Sequence, residues 1–124
     1  MKGGAGELYE KLLSGDRRAA ARLITMVENG EHGAREILRR LHRHSGKAHI
    51  IGLTGSPGSG KSTLACRLAA HFREEGSSVG IVCVDPTSPF TGGALLGDRV
   101  RMQELSSDPG VFIRSMGSRG AQGG

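Results

Sequence analysis

Gly55-Ser56-Pro57-Gly58-Ser59-Gly60-Lys61-Ser62 satisfies each fixed position of the pattern G-x-x-x-x-G-K-[ST]. Residues of these types at this spacing cradle the phosphates of a nucleoside triphosphate. The glycines let the backbone curl so that successive amides point inward, and the helix that follows offers its N-terminus to the anion. Lys61 is placed to reach the outer phosphates, and the Ser62 hydroxyl is an oxygen ligand suited to Mg²⁺. A glycine- and serine-rich turn that binds nothing is the alternative, and the flanking sequence argues against it.

The motif needs a strand before it and a helix after it. His49-Ile50-Ile51-Gly52-Leu53-Thr54 is an apolar run that predicts the strand. Beyond the loop, Ala65, Leu68, Ala69 and Phe72 fall at i, i+3, i+4 and i+7, which predicts a helix with one apolar face and a stop at Gly76. A second buried strand is expected over 78–84, ending at Asp85. A polar stretch from Pro86 to Gly97, a short helix near Arg99 to Leu105 and a turn at Asp108-Pro109-Gly110 lead to a third strand, Val111 to Met116. Strand, helix, strand in that order implies an α/β fold with a parallel sheet.

Residues 7 to 45 read as helices: Glu7 to Leu13, Asp16 to Glu28 and Gly33 to His44. Ala20, Leu23, Ile24 and Val27 trace one apolar face, and Ala34, Ile37, Leu38 and Leu41 another. Ser14 or Asp16 is available as N-cap, with Asn29-Gly30 as a stop. The expected organisation is a helical extension over residues 1–46, followed by a phosphate-loop domain over residues 47–124.

Composition limits the function classes. The 124 residues are 36% hydrophobic, with one Tyr, three Phe and no Trp, so any core is aliphatic. No stretch reaches the ~20 consecutive apolar residues of a membrane span, and no apolar signal region follows Met1-Lys2-Gly3-Gly4. A soluble, cytoplasmic protein is expected. Most of the net charge of +5 comes from the first 47 residues, which hold ten Lys and Arg against six Asp and Glu, whereas the rest hold seven against six. Without interleaved aromatics this basic character reads as solvated helix surface rather than a nucleic-acid interface. Cys66 and Cys83 read as reduced core thiols, and His42, His44 and His49 lack Cys or carboxylate partners at metal-ligand spacing.

A second constellation runs from Asp85 through Pro86-Thr87-Ser88-Pro89-Phe90-Thr91-Gly92-Gly93 to Asp98-Arg99-Val100-Arg101-Met102. Asp85 should emerge at the carboxyl end of a parallel strand, the edge where open α/β sheets bind ligands and where the phosphate loop opens. It is a candidate metal ligand. Asp98 is a candidate for holding a metal-bound water or orienting the attacking one. Turn formation and helix capping are the plainer roles for both.

With these residues the chain resembles the MeaB/ArgK family, GTPase chaperones of adenosylcobalamin-dependent methylmalonyl-CoA mutase and related mutases. The resemblance takes in Ser14-Gly15-Asp16-Arg17-Arg18, Gly55 to Thr63, Val84 to Met102, and Val111-Phe112-Ile113-Arg114-Ser115-Met116. It implies a GTPase of the SIMIBI class, homodimeric at full length, that guards cofactor loading of a B12-dependent acyl-CoA mutase. It implies GTP as substrate, with phosphate and metal contacts from Lys61, Ser62 and Thr63. Asp85 and Asp98 would lie near Mg²⁺, and Lys61 and Asp98 would serve hydrolysis. Arg99 and Arg101 match positions that respond to nucleotide or partner, or are exposed helix arginines.

Members of the family continue into a further acidic strand motif, a guanine-reading segment and a dimerisation arm, so the chain is expected to be an N-terminal portion. Guanine preference and dimerisation are inherited from the resemblance. Two other functions share the loop: a small-molecule kinase, which would pass the phosphoryl group to an acceptor hydroxyl, and a nucleotide-binding fragment without turnover.

Overall fold

The computed structural model describes residues 4–56, 58–84 and 103–116. The chain divides into two compact units, Met1–Ile51 and Gly52–Gly124.

The first unit is helical: α1 (Gly4–Leu13), α2 (Arg17–Glu28) and α3 (Ala34–Leu41), the last running into a 3-10 turn at His42–His44. Asp16 rather than Ser14 caps α2, its Oδ1 accepting from Arg18 N at 2.8 Å and Ala19 N at 3.3 Å. The ends of α1 and α2 share one device. Gly15 and Gly30 take positive φ, so the glycine amide and the one after it fold back onto the last turn. Gly15 N and Asp16 N donate to Leu12 O and Lys11 O, while Gly30 N and Glu31 N donate to Val27 O and Met26 O.

Leu8, Tyr9, Ala19, Leu23 and Ile37 form the core of this unit, with Ala5, Leu12, Met26 and Leu41 packed around them. The buried face of α2 is therefore Ala19-Leu23-Met26: of the expected Ala20, Leu23, Ile24 and Val27, Leu23 lies in the core, and the rest of the stripe is shifted by one residue. Val27 is 42% exposed and, on α3, Leu38 is 43% exposed. Apolar residues occupy more than half the circumference of α2, so periodicity alone did not choose which stripe meets α1. Tyr9 ties α1 to the end of the third helix: its hydroxyl lies 3.0 Å from His44 Nε2, and the Arg40 guanidinium stacks 4.0 Å over its ring.

The second unit contains α4 (Lys61–Glu74), β1 (Val79–Val84) and β2 (Val111–Met116), with residues 103–107 also helical. The strands pair in parallel, from Val79 opposite Val111 to Val84 opposite Met116. Along β1, Val79, Ile81 and Cys83 are half-buried while Gly80, Val82 and Val84 are exposed, the alternation of a strand covered on one face. The covered face packs on Cys66, Ala69, Leu105 and Val111. On α4 the fully buried line is Cys66 and Ala69, with Leu68 and Phe72 at its margin. Gly76 stops α4 as expected, Gly76 N and Ser77 N donating to Arg73 O and Phe72 O.

Residues 49–54 depart from expectation. They form no strand, and Ile50, Ile51 and Leu53 are 90%, 47% and 40% exposed. An apolar run states a demand for burial but names no ladder partner, and β1 and β2 satisfy each other. Among the described residues the sheet thus has two strands where three were expected. No helix of the described residues is long and apolar enough to cross a membrane.

Candidate functional site

The loop between residues 55 and 61 is shaped by two left-handed glycines, Gly58 at φ +77° and Gly60 at φ +91°. A side chain at either position would be strained, so the turn depends on glycine there. Gly60 is the N-cap of α4, and its carbonyl accepts the first intrahelical bond from Leu64 N at 3.0 Å. Ser59 N donates to Ser56 O at 3.2 Å, tightening the curl. At Gly55 the close approach comes from a side chain: a Cβ would sit 2.7 Å from Ser59 Oγ.

Lys61 closes the loop. Its Nζ donates to Gly55 O at 2.7 Å, so the ammonium spans the mouth of the curl from the first residue of α4. Ser62 and Thr63 follow on the same turn, both half-buried. The N-terminus of α4 has no side-chain cap and no acidic residue in its first turn, in contrast to α2 with its Asp16 cap. The leading amides of a helix have no intrahelical acceptor, and together with the macrodipole they favour an anion. A cation, hydroxyls and a helix N-terminus free of acidic side chains therefore converge on one spot. The Ser62 and Thr63 oxygens are hard donors of the kind Mg²⁺ takes alongside substrate phosphates.

The structure brings together Gly55, Ser56, Gly58, Ser59, Gly60, Lys61, Ser62 and Thr63. Pro57, Asp85 and Asp98, with Arg99 and Arg101, lie outside the described residues. Asp85 directly follows Val84, the last residue of β1. A cleft of about 500 Å³ in the same unit is lined by Cys66, Arg67, His71, Glu104, Leu105 and Asp108 and includes no loop residue. The loop is the candidate site, because it brings together the cation, hydroxyls and helix N-terminus that suit a phosphate.

One polar feature of this unit is not visible in the residue pattern. Arg73, on the last turn of α4, forks onto Asp108 with Nε to Oδ2 at 2.9 Å and Nη2 to Oδ1 at 3.0 Å, and its Nη1 donates to Ser77 O at 2.8 Å. Asp108 Oδ1 also accepts from Gly110 N at 2.8 Å. A Cβ on Gly110 would run into the guanidinium. The hydrogen bond to Asp108 raises the Arg73 pKa further above its ordinary value. The partners are 35 residues apart, and each alone reads as helix surface or turn.

Comparison with known proteins agrees with this geometry. Residues 20–124 match the family model described as methylmalonyl-CoA mutase-associated GTPase MeaB. A protein of Pyrococcus abyssi named as a GTPase is 62% identical over 118 residues, covering 95% of this chain and 36% of its own length. The fused isobutyryl-CoA mutase of Cupriavidus metallidurans is 39% identical over 90% of this chain and 10% of its own length. The mitochondrial methylmalonic aciduria type A homolog of Caenorhabditis elegans is 38% identical over 95% of this chain and 33% of its own length. The chain thus spans about a third of the length of the Pyrococcus abyssi and Caenorhabditis elegans relatives. With the match running through the loop, α4 and both strands, the chain belongs to the methylmalonyl-CoA mutase-associated GTPase family, MeaB.

Proposed function

We propose that this chain binds GTP with Mg²⁺ through Gly55 to Thr63, in a cytoplasmic protein that hydrolyses GTP to protect or load an adenosylcobalamin-dependent acyl-CoA mutase. The observation that carries the reading is the Lys61 ammonium held across the loop, over a helix N-terminus with no acidic residue in its first turn. Family membership and the relatives' names support GTP as the nucleotide. The family description and the mutase fused to one relative support methylmalonyl-CoA mutase or a related enzyme as partner. Homodimerisation belongs to a protein of the relatives' full length.

In the reaction, a water oxygen bonds to the γ-phosphorus as the bond to the β–γ bridging oxygen breaks, releasing GDP and phosphate. The loop amides and Lys61 hold the phosphate oxygens and balance the charge that builds on them. Lys61 exchanges the Gly55 carbonyl for phosphate oxygens, so the contact that closes the loop becomes a contact to substrate. Asp98 would orient the water, and Ser62 with Asp85 would hold Mg²⁺ through their oxygens. Bound Mg²⁺ would neutralise charge on the β- and γ-phosphates.

Phosphate release from GTP, followed with and without a purified adenosylcobalamin-dependent mutase, tests the reading. Release to water at a rate the mutase alters is expected. Phosphoryl transfer to an added small-molecule acceptor, without release to water, would replace it with a kinase.

A further inference from the structure

We propose that Arg73 is a positioning residue for the phosphate loop, acting through α4 from the end of the helix opposite Lys61. This inference rests on the phosphate-loop reading above.

Apolar packing holds α4 through small side chains. Its fully buried side chains are Cys66 and Ala69, two of the smallest apolar residues, while Leu68 and Phe72 are only half-buried and Leu64 is 48% exposed. Small side chains let the helix lie close to β1 and β2 but bury little area, and they interlock poorly. They leave the tilt of α4 on the sheet under-determined.

The Arg73 contacts supply the missing constraint. The two-pronged contact to Asp108 sets an orientation as well as a distance, since a planar guanidinium meets a carboxylate in one plane. Asp108 is itself held by Gly110 N, and Gly110 O accepts from Val79 N at 2.9 Å, where β1 begins. The chain of contacts therefore ties the end of α4 to the starts of both strands. The Arg73 and Asp108 side chains are each about three-quarters covered, so the fork is more than an open surface contact.

The helix converts this anchor into control of the loop. Lys61 and Arg73 are separated by about 18 Å along the axis at 1.5 Å per residue, with Cys66 and Ala69 near the middle. A helix that pivots on those residues moves its two ends by similar amounts in opposite directions. Displacement of Arg73 by about 1 Å therefore shifts Lys61 by about 1 Å, enough to spoil contacts that need hydrogen-bond geometry. Gly110 is the one residue type at its position that leaves room for the guanidinium, so the anchor depends on three residues from two segments.

The test compares the whole chain with Arg73→Gln, Arg73→Lys and Asp108→Asn, at a temperature where circular dichroism shows each folded. Hydrogen exchange of the amides from Gly58 to Thr63 is read without nucleotide, and Mg-GTP affinity by calorimetry. Exchange in the loop should speed up several-fold in Arg73→Gln and Asp108→Asn. Affinity should fall roughly three- to tenfold, as expected when the binding-competent placement drops to a third or a tenth of the population. Arg73→Lys, which keeps the charge and loses the fork, should lie between. Loop exchange and affinity both unchanged, with only the melting temperature lowered, would overturn the proposal. If the parent chain binds no Mg-GTP, the functional reading fails, and loop exchange alone still decides the positioning role. Asp108→Asn removes a charge while keeping side-chain shape, so it guards against misfolding of the Arg73 variants.

Discussion

Replacing Lys61 by alanine removes the ammonium that spans the loop, and the structure sets the size of the effect. The ammonium already holds the Gly55 carbonyl at 2.7 Å, so binding a triphosphate exchanges one charge-assisted contact for others. Taking two phosphate contacts at about 1.5–3 kcal/mol each against one contact given up, the net loss on substitution is about 1.5–3 kcal/mol. That corresponds to a roughly 10- to 150-fold weaker affinity. The fold should survive, because Lys61 is the first residue of α4 and is not among the residues that form the core, Cys66, Ala69, Leu105 and Val111. Alanine is also the best helix former. Calorimetric titration with Mg-GTP, alongside circular dichroism of both proteins, gives the comparison. Unchanged affinity in a folded Lys61→Ala variant would refute the assignment of this loop to phosphate.

Asp98→Asn should slow GTP turnover more than it weakens binding, if Asp98 orients the water; an equal loss of both, in parallel kinetic and binding titrations, would mark a ground-state metal ligand instead. Ile37→Ala should destabilise the helical unit by about 2–5 kcal/mol, since Ile37 is wholly buried, whereas Leu38→Ala should cost about 1 kcal/mol or less; urea unfolding separates them. Lys11 and Arg39 donate hydrogen bonds to Glu7 and Glu36 and hold those carboxyls below their ordinary value of 4.5. A carboxyl with a depressed folded-state pKa adds stability above the unfolded value and loses it as pH falls through the folded one. Unfolding followed from pH 7 to pH 3 should therefore show a small decline below about 4.5, flattened in a Glu7→Gln, Glu36→Gln double variant.

Local chemistry was legible where one residue decides the outcome. The cap at Asp16, the stops at Gly30 and Gly76 and the loop glycines follow from backbone geometry that few residue types allow. The strands 79–84 and 111–116 were readable because an apolar run bounded by turns has few other uses. Choices between near-equal faces were not legible. Ala19 and Ala20 differ little in what they bury, and only the position of α1 selects one of them. The run from His49 to Thr54 failed for a related reason, since pairing depends on a partner that the segment itself does not specify. Arg73 and Asp108 were invisible for want of any local sign: their meeting is a product of the sheet, which brings residues 35 apart together.

Amide resonances of Gly58, Ser59, Gly60, Lys61, Ser62 and Thr63, followed by nuclear magnetic resonance during titration with GTP in the presence of Mg²⁺, test the placement of the site most directly. Binding at the loop predicts saturable shifts concentrated in these residues and fading along α4, with smaller shifts when Mg²⁺ is withheld. Shifts centred on the cleft around Arg67, His71 and Glu104, or none at any nucleotide concentration, would contradict it.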